Sequence, residues 1–383
     1  MEGNRSGRWV SNFSGELEYR SYSPSPLPPD PPIQMDESLT ELVVRTSRAL
    51  SELNAVAEHV PSAELFVSMY VRKEALISSQ IEGTQCTLDD ILDPEASESA
   101  DADVADVVNY VAAERKALDL VNELPLSGRL LRRAHEVLLQ GARGEEKTPG
   151  EFRRSQNWIG PAGCTLKEAR FVPPNVGDMQ EAMAELERYM NEADALDPLI
   201  RAGLIHYQFE TIHPFLDGNG RVGRLLVLLY IMQEGLLSKP VLYVSYFLKR
   251  NQIEYYDRMS EVRRTGNYEQ WVRFFLEAVL AAASDASSSI LRLVAMHNRN
   301  LEKVVGLQTR TDTSERLFGH LESHPIITVR GVAEELGISF ATASSAIKRF
   351  VAAGILVETS NAARNRVFAY EEYLAELRRG TEL

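Results

Sequence analysis

The segment HPFLDGNGRVGR, His213 to Arg224, gathers in twelve residues the groups that a phosphate-handling site needs. His213 precedes Pro214, whose ring disfavours the α region for the residue before it, so the imidazole is expected at a loop entrance where it can meet a substrate. A histidine whose pKa lies near neutrality is suited to removing a proton. Gly218, Asn219 and Gly220 read as a turn opening a helix, and the free amides and positive dipole end of such a helix make an anion site. Arg221 and Arg224 sit three residues apart, on neighbouring positions of one helical face, and could grip two phosphates. Asp217, just before the turn, is placed to hold Mg²⁺ against them.

Helices must position these groups. Apolar residues recur at helical spacing in Val104, Val107, Val108 and Val111 and in Leu130, Leu131, Ala134, Val137 and Leu138. Helices are predicted over Asp178 to Asn191, Asp197 to Ile212, Asn219 to Glu234, Glu254 to Arg264 and Tyr268 to Asn300. Between Pro149 and Asn175 the Gly, Pro and aromatic residues suit a loop or short hairpin instead. Near the N-terminus, SPSPLPPDPPI reads as an extended polyproline strap, because proline lacks the amide donor a helix uses. From Ser314 onward the pattern is helix, TVRGVAEELG, a turn at Gly337, FATASSAIKRFVAAG and ILVETSNAARNRVFAY, the order of a winged helix-turn-helix.

The expected organisation is an arm and strap over 1–34, a helical region over 35–103, a core over 104–240, a helical extension over 241–309 and the winged unit over 310–383. Hydrophobic residues at 44% and charged ones at 25% are ordinary for a soluble globular chain. The central apolar run, Leu225 to Met232, is far too short for a membrane span, so no membrane association is expected. Two cysteines, Cys86 and Cys164, offer no disulfide framework, and a cytoplasmic location fits. The net charge of -14 disfavours nucleic acid over most of the surface, whereas the stretch from Arg310 onward is nearly neutral.

HPFLDGNGRVGR resembles the Fic-family signature at every fixed position, and TPGEFRRSQNWIGPAG is similar to the family's approach to its flap. The resemblance implies a mainly α fold: an α-helical Fic core with a short β-hairpin flap, followed by the winged unit. It implies a protein adenylyltransferase that moves AMP from ATP to a Ser, Thr or Tyr hydroxyl. His213 would be the catalytic base, and Phe215, Gly218, Asn219, Gly220, Arg221 and Arg224 would bind nucleotide, with Asp217 on Mg²⁺. SSQIEG, Ser78 to Gly83, is similar to the family's inhibitory motif, which would set Glu82 against Arg224 and displace the γ-phosphate. Target proteins, including the chain itself, would dock along the flap near Asn157 to Val172 by strand addition. A homodimer is the expected assembly, and transfer of another nucleotide or removal of AMP stays open.

Two readings compete. His206, Glu210 and His213 stand at helical spacing and could chelate a metal, although His206 lies in an amphipathic stretch that suits a core histidine. The chain could instead be a transcription regulator, with Ser339, Thr342, Ser345, Lys348 and Arg349 facing a DNA groove and Arg364 and Arg366 on the wing.

Overall fold

The N-terminal residues, expected only as an arm, form an antiparallel sheet of β1 (Gly3–Asn4), β2 (Gly7–Asn12) and β3 (Tyr19–Pro24) in the computed structural model. The structure describes residues 3–15, 18–58, 63–92, 101–161, 163–307, 311–360 and 366–381. Trp9 pairs across the sheet with Tyr22, their rings edge to face at 5.2 Å. Such a pair gives a short, half-exposed ribbon an apolar anchor. The proline strap that follows, residues 25–36, is neither helix nor strand, and it bends at Leu27, Pro28, Asp30 and Pro31 instead of running as one extended segment.

Helices α1 (Glu37–Glu58), α2 (Ala63–Ile81), α3 (Leu88–Leu92), α4 (Ala102–Val121) and α5 (Gly128–Leu138) lead to the flap region. After it come α6 (Val176–Asn191), α7 (Pro198–Ile212), α8 (Asn219–Gln233), α9 (Ser245–Arg250), α10 (Gln252–Thr265) and α11 (Tyr268–Val305). The fold is mainly α, as the sequence predicts. Helix α7 starts on a built cap: Asp197 accepts from the Leu199 amide at 2.8 Å and Pro198 takes the first helical position. Beyond Pro198 every residue of α7 is buried, and α8 is buried through most of its length. A helix buried on all sides belongs in the centre of a domain. These two central helices pack against each other and carry the site between them. Helix α11 is long and apolar enough to cross a membrane by composition, unlike the central run, yet most of its apolar stretch is buried inside the protein.

The flap region is mostly loop, as expected, with a minimal antiparallel pairing. Among its described residues Ile159 and Phe171 exchange both backbone hydrogen bonds, and a 3₁₀ turn spans Leu166–Glu168. Pro161, Pro173 and Pro174 remove the donors a longer ladder would use. Its outgoing strand is instead tied to the N-terminal sheet, where the Tyr22 amide donates to the Val172 carbonyl at 2.9 Å.

The C-terminal part comprises α12 (Thr311–Ser323), β4 (Ile326–Thr328), α13 (Val329–Glu335), α14 (Phe340–Ala352), β5 (Val357–Glu358), β6 (Val367–Ala369) and α15 (Glu371–Arg378), with sheet order β4-β6-β5. Both α12 and α15 pack on α2.

Candidate active site

His213 caps α7 with φ 51 and ψ 61, a left-handed conformation that is unfavourable for a residue with a side chain. Pro214 closes the right-handed well, and the surroundings fix the alternative. The His213 amide donates to Phe209 O at 2.9 Å, and its carbonyl accepts from Arg153 Nε at 3.0 Å and Asn157 Nδ2 at 3.1 Å. Its ring Nδ1 lies 3.3 Å from the Glu210 carbonyl, which can only accept, so Nδ1 carries the proton and Nε2 keeps a free lone pair. Burial is the main force lowering its pKa, to about 4, so the imidazole is neutral and ready to take a proton.

The loop after it is braced from both sides. Asn219 closes a ring on Phe215, accepting from its amide at 2.8 Å and donating to its carbonyl at 2.9 Å. His135 of α5 stacks on the Phe215 ring with centroids 3.8 Å apart. Gly150 N–H donates to His135 Nδ1 at 2.9 Å, so Nε2 must be the protonated nitrogen, and it donates to Asp217 O at 3.0 Å. Burial keeps this imidazole neutral too, with its pKa lowered to about 4. Phe215 is fully buried against His135, and the Asn219 side chain holds the loop, which leaves their backbone groups to meet a nucleotide. Helix α8 begins after Gly218 with no side-chain cap, leaving the first-turn amides available to an anion.

The two arginines diverge. Arg221 is buried between Asp106 of α4, 3.7 Å away, and Asp217, 3.8 Å away. Arg224 donates through Nε to Ser78 Oγ at 2.8 Å, and through one terminal nitrogen to the Ser78 carbonyl at 2.9 Å and Glu82 Oε1 at 2.8 Å. Ser78 lies in the last turns of α2 and Glu82 just past its end. A Cβ on Gly220 would fall 2.1 Å from Glu82 Oε1, so only glycine there admits this carboxylate. Burial would raise the Glu82 pKa, but the Arg224 guanidinium outweighs it and holds the carboxyl below its usual range. Gly83 follows with φ +98.

His213, Gly220, Arg224 and Glu82 open on one cavity of about 520 Å³. Its other walls are the flap residues Trp158, Ile159 and Phe171 and, from α10, Tyr255, Tyr256 and Arg263. Sequence reading misses the α10 residues, for which no local signal exists. Asp106 and His135 do carry one: each is a polar residue on an otherwise apolar helical stripe.

The chelating trio does not form. His206 donates from Nδ1 to Gly223 O at 3.1 Å and accepts at Nε2 from Tyr255 O–H at 2.9 Å, leaving no free nitrogen. Among the described residues no cluster of three metal-ligating side chains exists. In the C-terminal part, Ser339 caps α14 by accepting from the Thr342 amide at 3.1 Å, and Arg349 donates to Ser345 Oγ at 3.1 Å. Arg366 is paired with Glu358, Lys348 is exposed, and Arg364 lies outside the described residues.

The chain matches the model of the Fic/DOC family N-terminal region over residues 40–119 and that of the Fic/DOC family over residues 125–231. It is 28% identical over 177 residues to a protein adenylyltransferase Fic of Drosophila grimshawi, covering 46% of this chain and 32% of the relative. With the Drosophila yakuba protein of the same name it shares 31% identity over 169 residues, 42% of this chain and 31% of that one. It thus spans about a third of the length of the curated relatives it matches. Among solved structures, a Fic family protein from Desulfovibrio desulfuricans aligns with a TM-score of 0.57 at 20% identity, covering 88% of this chain and 97% of the other. Motif and family models agree: residues 40–119 and 125–231 carry the N-terminal and central regions of the Fic/DOC family, within a chain that shares the fold of a Fic family protein.

Proposed function

We propose that this chain is a protein adenylyltransferase, transferring AMP from ATP to a protein hydroxyl, and that it is held inactive by Glu82. The observation that carries the reading is Arg224, whose donors are taken by Ser78 and Glu82 inside the cavity that also holds His213. With Glu82 withdrawn, Arg224 and the first-turn amides of α8 would receive the triphosphate. A target Ser, Thr or Tyr hydroxyl gives its proton to His213 Nε2 as its oxygen bonds to the α-phosphorus, and the bond to pyrophosphate breaks. The curated relatives named adenylyltransferases support AMP as the group moved.

Mg²⁺ fits as a partner of Asp217: a single carboxylate with phosphate oxygens and water completing the shell is an ordinary magnesium arrangement. The ion would supply positive charge against the departing pyrophosphate. An extended target segment would add along the flap near Ile159, beside His213, and the chain itself is a candidate target.

We read residues 310–383 as a winged helix-turn-helix. The pairing of Arg366 and the consumption of Ser339 and Arg349 favour a docking role over DNA binding. Salt-dependent retardation of random duplex DNA would reverse that preference.

The central test is mass spectrometry of the Glu82→Gly variant with a panel of nucleotides. The expected result is a mass gain of AMP, on the protein itself or a target, well above the wild-type chain. Equal incorporation by both chains would remove Glu82 as the brake, and gain of a different nucleotide would replace the donor.

A further inference from the structure

A second carboxylate faces the same cavity and has no partner. Glu210, in the last turn of α7, is 8% exposed, and its Oε1 is buried without a hydrogen bond. It lines the cavity together with Arg224 and His213. A buried carboxyl that meets no donor is costly, and a structure that keeps one in the wall of a cavity points to a ligand. The seat is specific: a Cβ on Gly223 would fall 2.2 Å from Glu210 Oε1. Gly220 and Gly223, one turn apart on α8, therefore form two notches flanking Arg224, one for Glu82 and one for Glu210.

Resting on the nucleotide-binding reading above, we propose that Glu210 binds the γ-phosphate as a neutral carboxylic acid, donating a hydrogen bond beside Arg224, so that triphosphate binding is coupled to proton uptake.

Every element around Glu210 bears on its charge. Burial pushes its pKa up to about 7; Arg224 of α8 opposes this, Glu82 behind α2 reinforces it, and Arg263 of α10 opposes it. Tyr255 of α10 is buried and neutral, and on α7 itself His206 and His213 are neutral. When the triphosphate arrives, its γ-phosphate sets a like charge against Glu210 and raises that pKa further. The complex then keeps a proton on Glu210 over a pH range where the free protein has lost it. Affinity is full below about pH 7 and declines above it, by up to about tenfold per pH unit until the complex also deprotonates. Above pH 7 the proton comes from solvent and bonds to one Glu210 oxygen, and no other bond changes.

The probe is α,β-methylene-ATP, which resists transfer, titrated calorimetrically into the Glu82→Gly chain from pH 6.5 to 9 in buffers of differing ionisation enthalpy. This chain lacks the Glu82 charge that helps to raise the Glu210 pKa, so binding should weaken as pH rises through and beyond 7, with net proton uptake over that range. The Glu82→Gly, Glu210→Gln chain keeps a neutral donor of the same shape, so its affinity should stay flat and its proton uptake vanish. AMP, which lacks the γ-phosphate, should give no Glu210-dependent slope. Equal pH slopes with and without Glu210→Gln would overturn the inference while leaving the nucleotide site standing. No binding of the analogue at any pH would overturn both.

Discussion

Arg221 and Arg224 stand one turn apart on the same helix, yet they are held in opposite ways. Arg221 is enclosed with Asp106, which is fully buried on α4. Arg224 is held by Glu82, a third of whose side chain reaches solvent and which sits just past the end of α2. The first is a fixture of the scaffold; the second is a contact that can open. The same division separates the loop from His213 to Gly218, braced by Arg153, Asn157, His135 and Asn219, from the segment around Glu82.

The largest effect should come from the braced side. In a Glu82→Gly background, His213→Ala should lower AMP incorporation by roughly 10²–10⁴-fold, as loss of a general base does. Residual transfer within tenfold of the parent would assign the base elsewhere.

Acid should then act on the two regions in sequence. Buried His135 and His206 have pKa values lowered to about 4 and about 3, so the stability they lend is full above the unfolded value of about 6.5 and fades as pH falls below it. Every tenfold loss of proton affinity on folding corresponds to about 1.4 kcal/mol at most. Glu82, held below its usual range, keeps its pair with Arg224 through that window and loses it only at lower pH. Urea midpoints measured from pH 7.5 to 5 should drop, and drop less in His135→Gln. An unchanged slope in that variant would mean the loop does not sense the imidazole.

Asp106→Asn should destabilise the fold by about 3 kcal/mol, because it leaves Arg221 buried without its main counter-charge. Glu82→Gln should cost less than this, since the Gln amide oxygen can still accept from Arg224 and a third of the side chain is exposed. Urea unfolding of both variants decides the matter, and comparable losses would erase the distinction between fixture and brake.

How far the sequence foretells this follows from where each partner lies. HPFLDGNGRVGR is legible because its roles are set within twelve residues by proline, glycine and helix-start chemistry. Glu82 is legible only through a motif, since nothing local says that it meets Arg224, 142 positions away. The stacking of Phe215 on His135 is not legible, because an aromatic in a phosphate loop gives no sign of the ring it packs against. Tyr255, Tyr256 and Arg263 enter the cavity through tertiary packing alone. The sheet of β1 to β3 leaves little trace because GRWVSN and YRSYSP are short and partly exposed, with no clean alternation.

Helix α11 has a mechanical consequence. Its 38 residues run unbroken for about 57 Å at the standard rise per residue. Near one end the Trp271 indole N–H donates to the carbonyl of Gly203 on α7, at 2.8 Å. Near the other, Arg292 grips Glu376, His297 meets Glu322 and Asn300 donates to Tyr370 O–H at 2.7 Å, all in the C-terminal part. One unbroken helix therefore joins the helix that leads into His213 to the C-terminal part, so the two are spanned by a continuous backbone ladder instead of by loops.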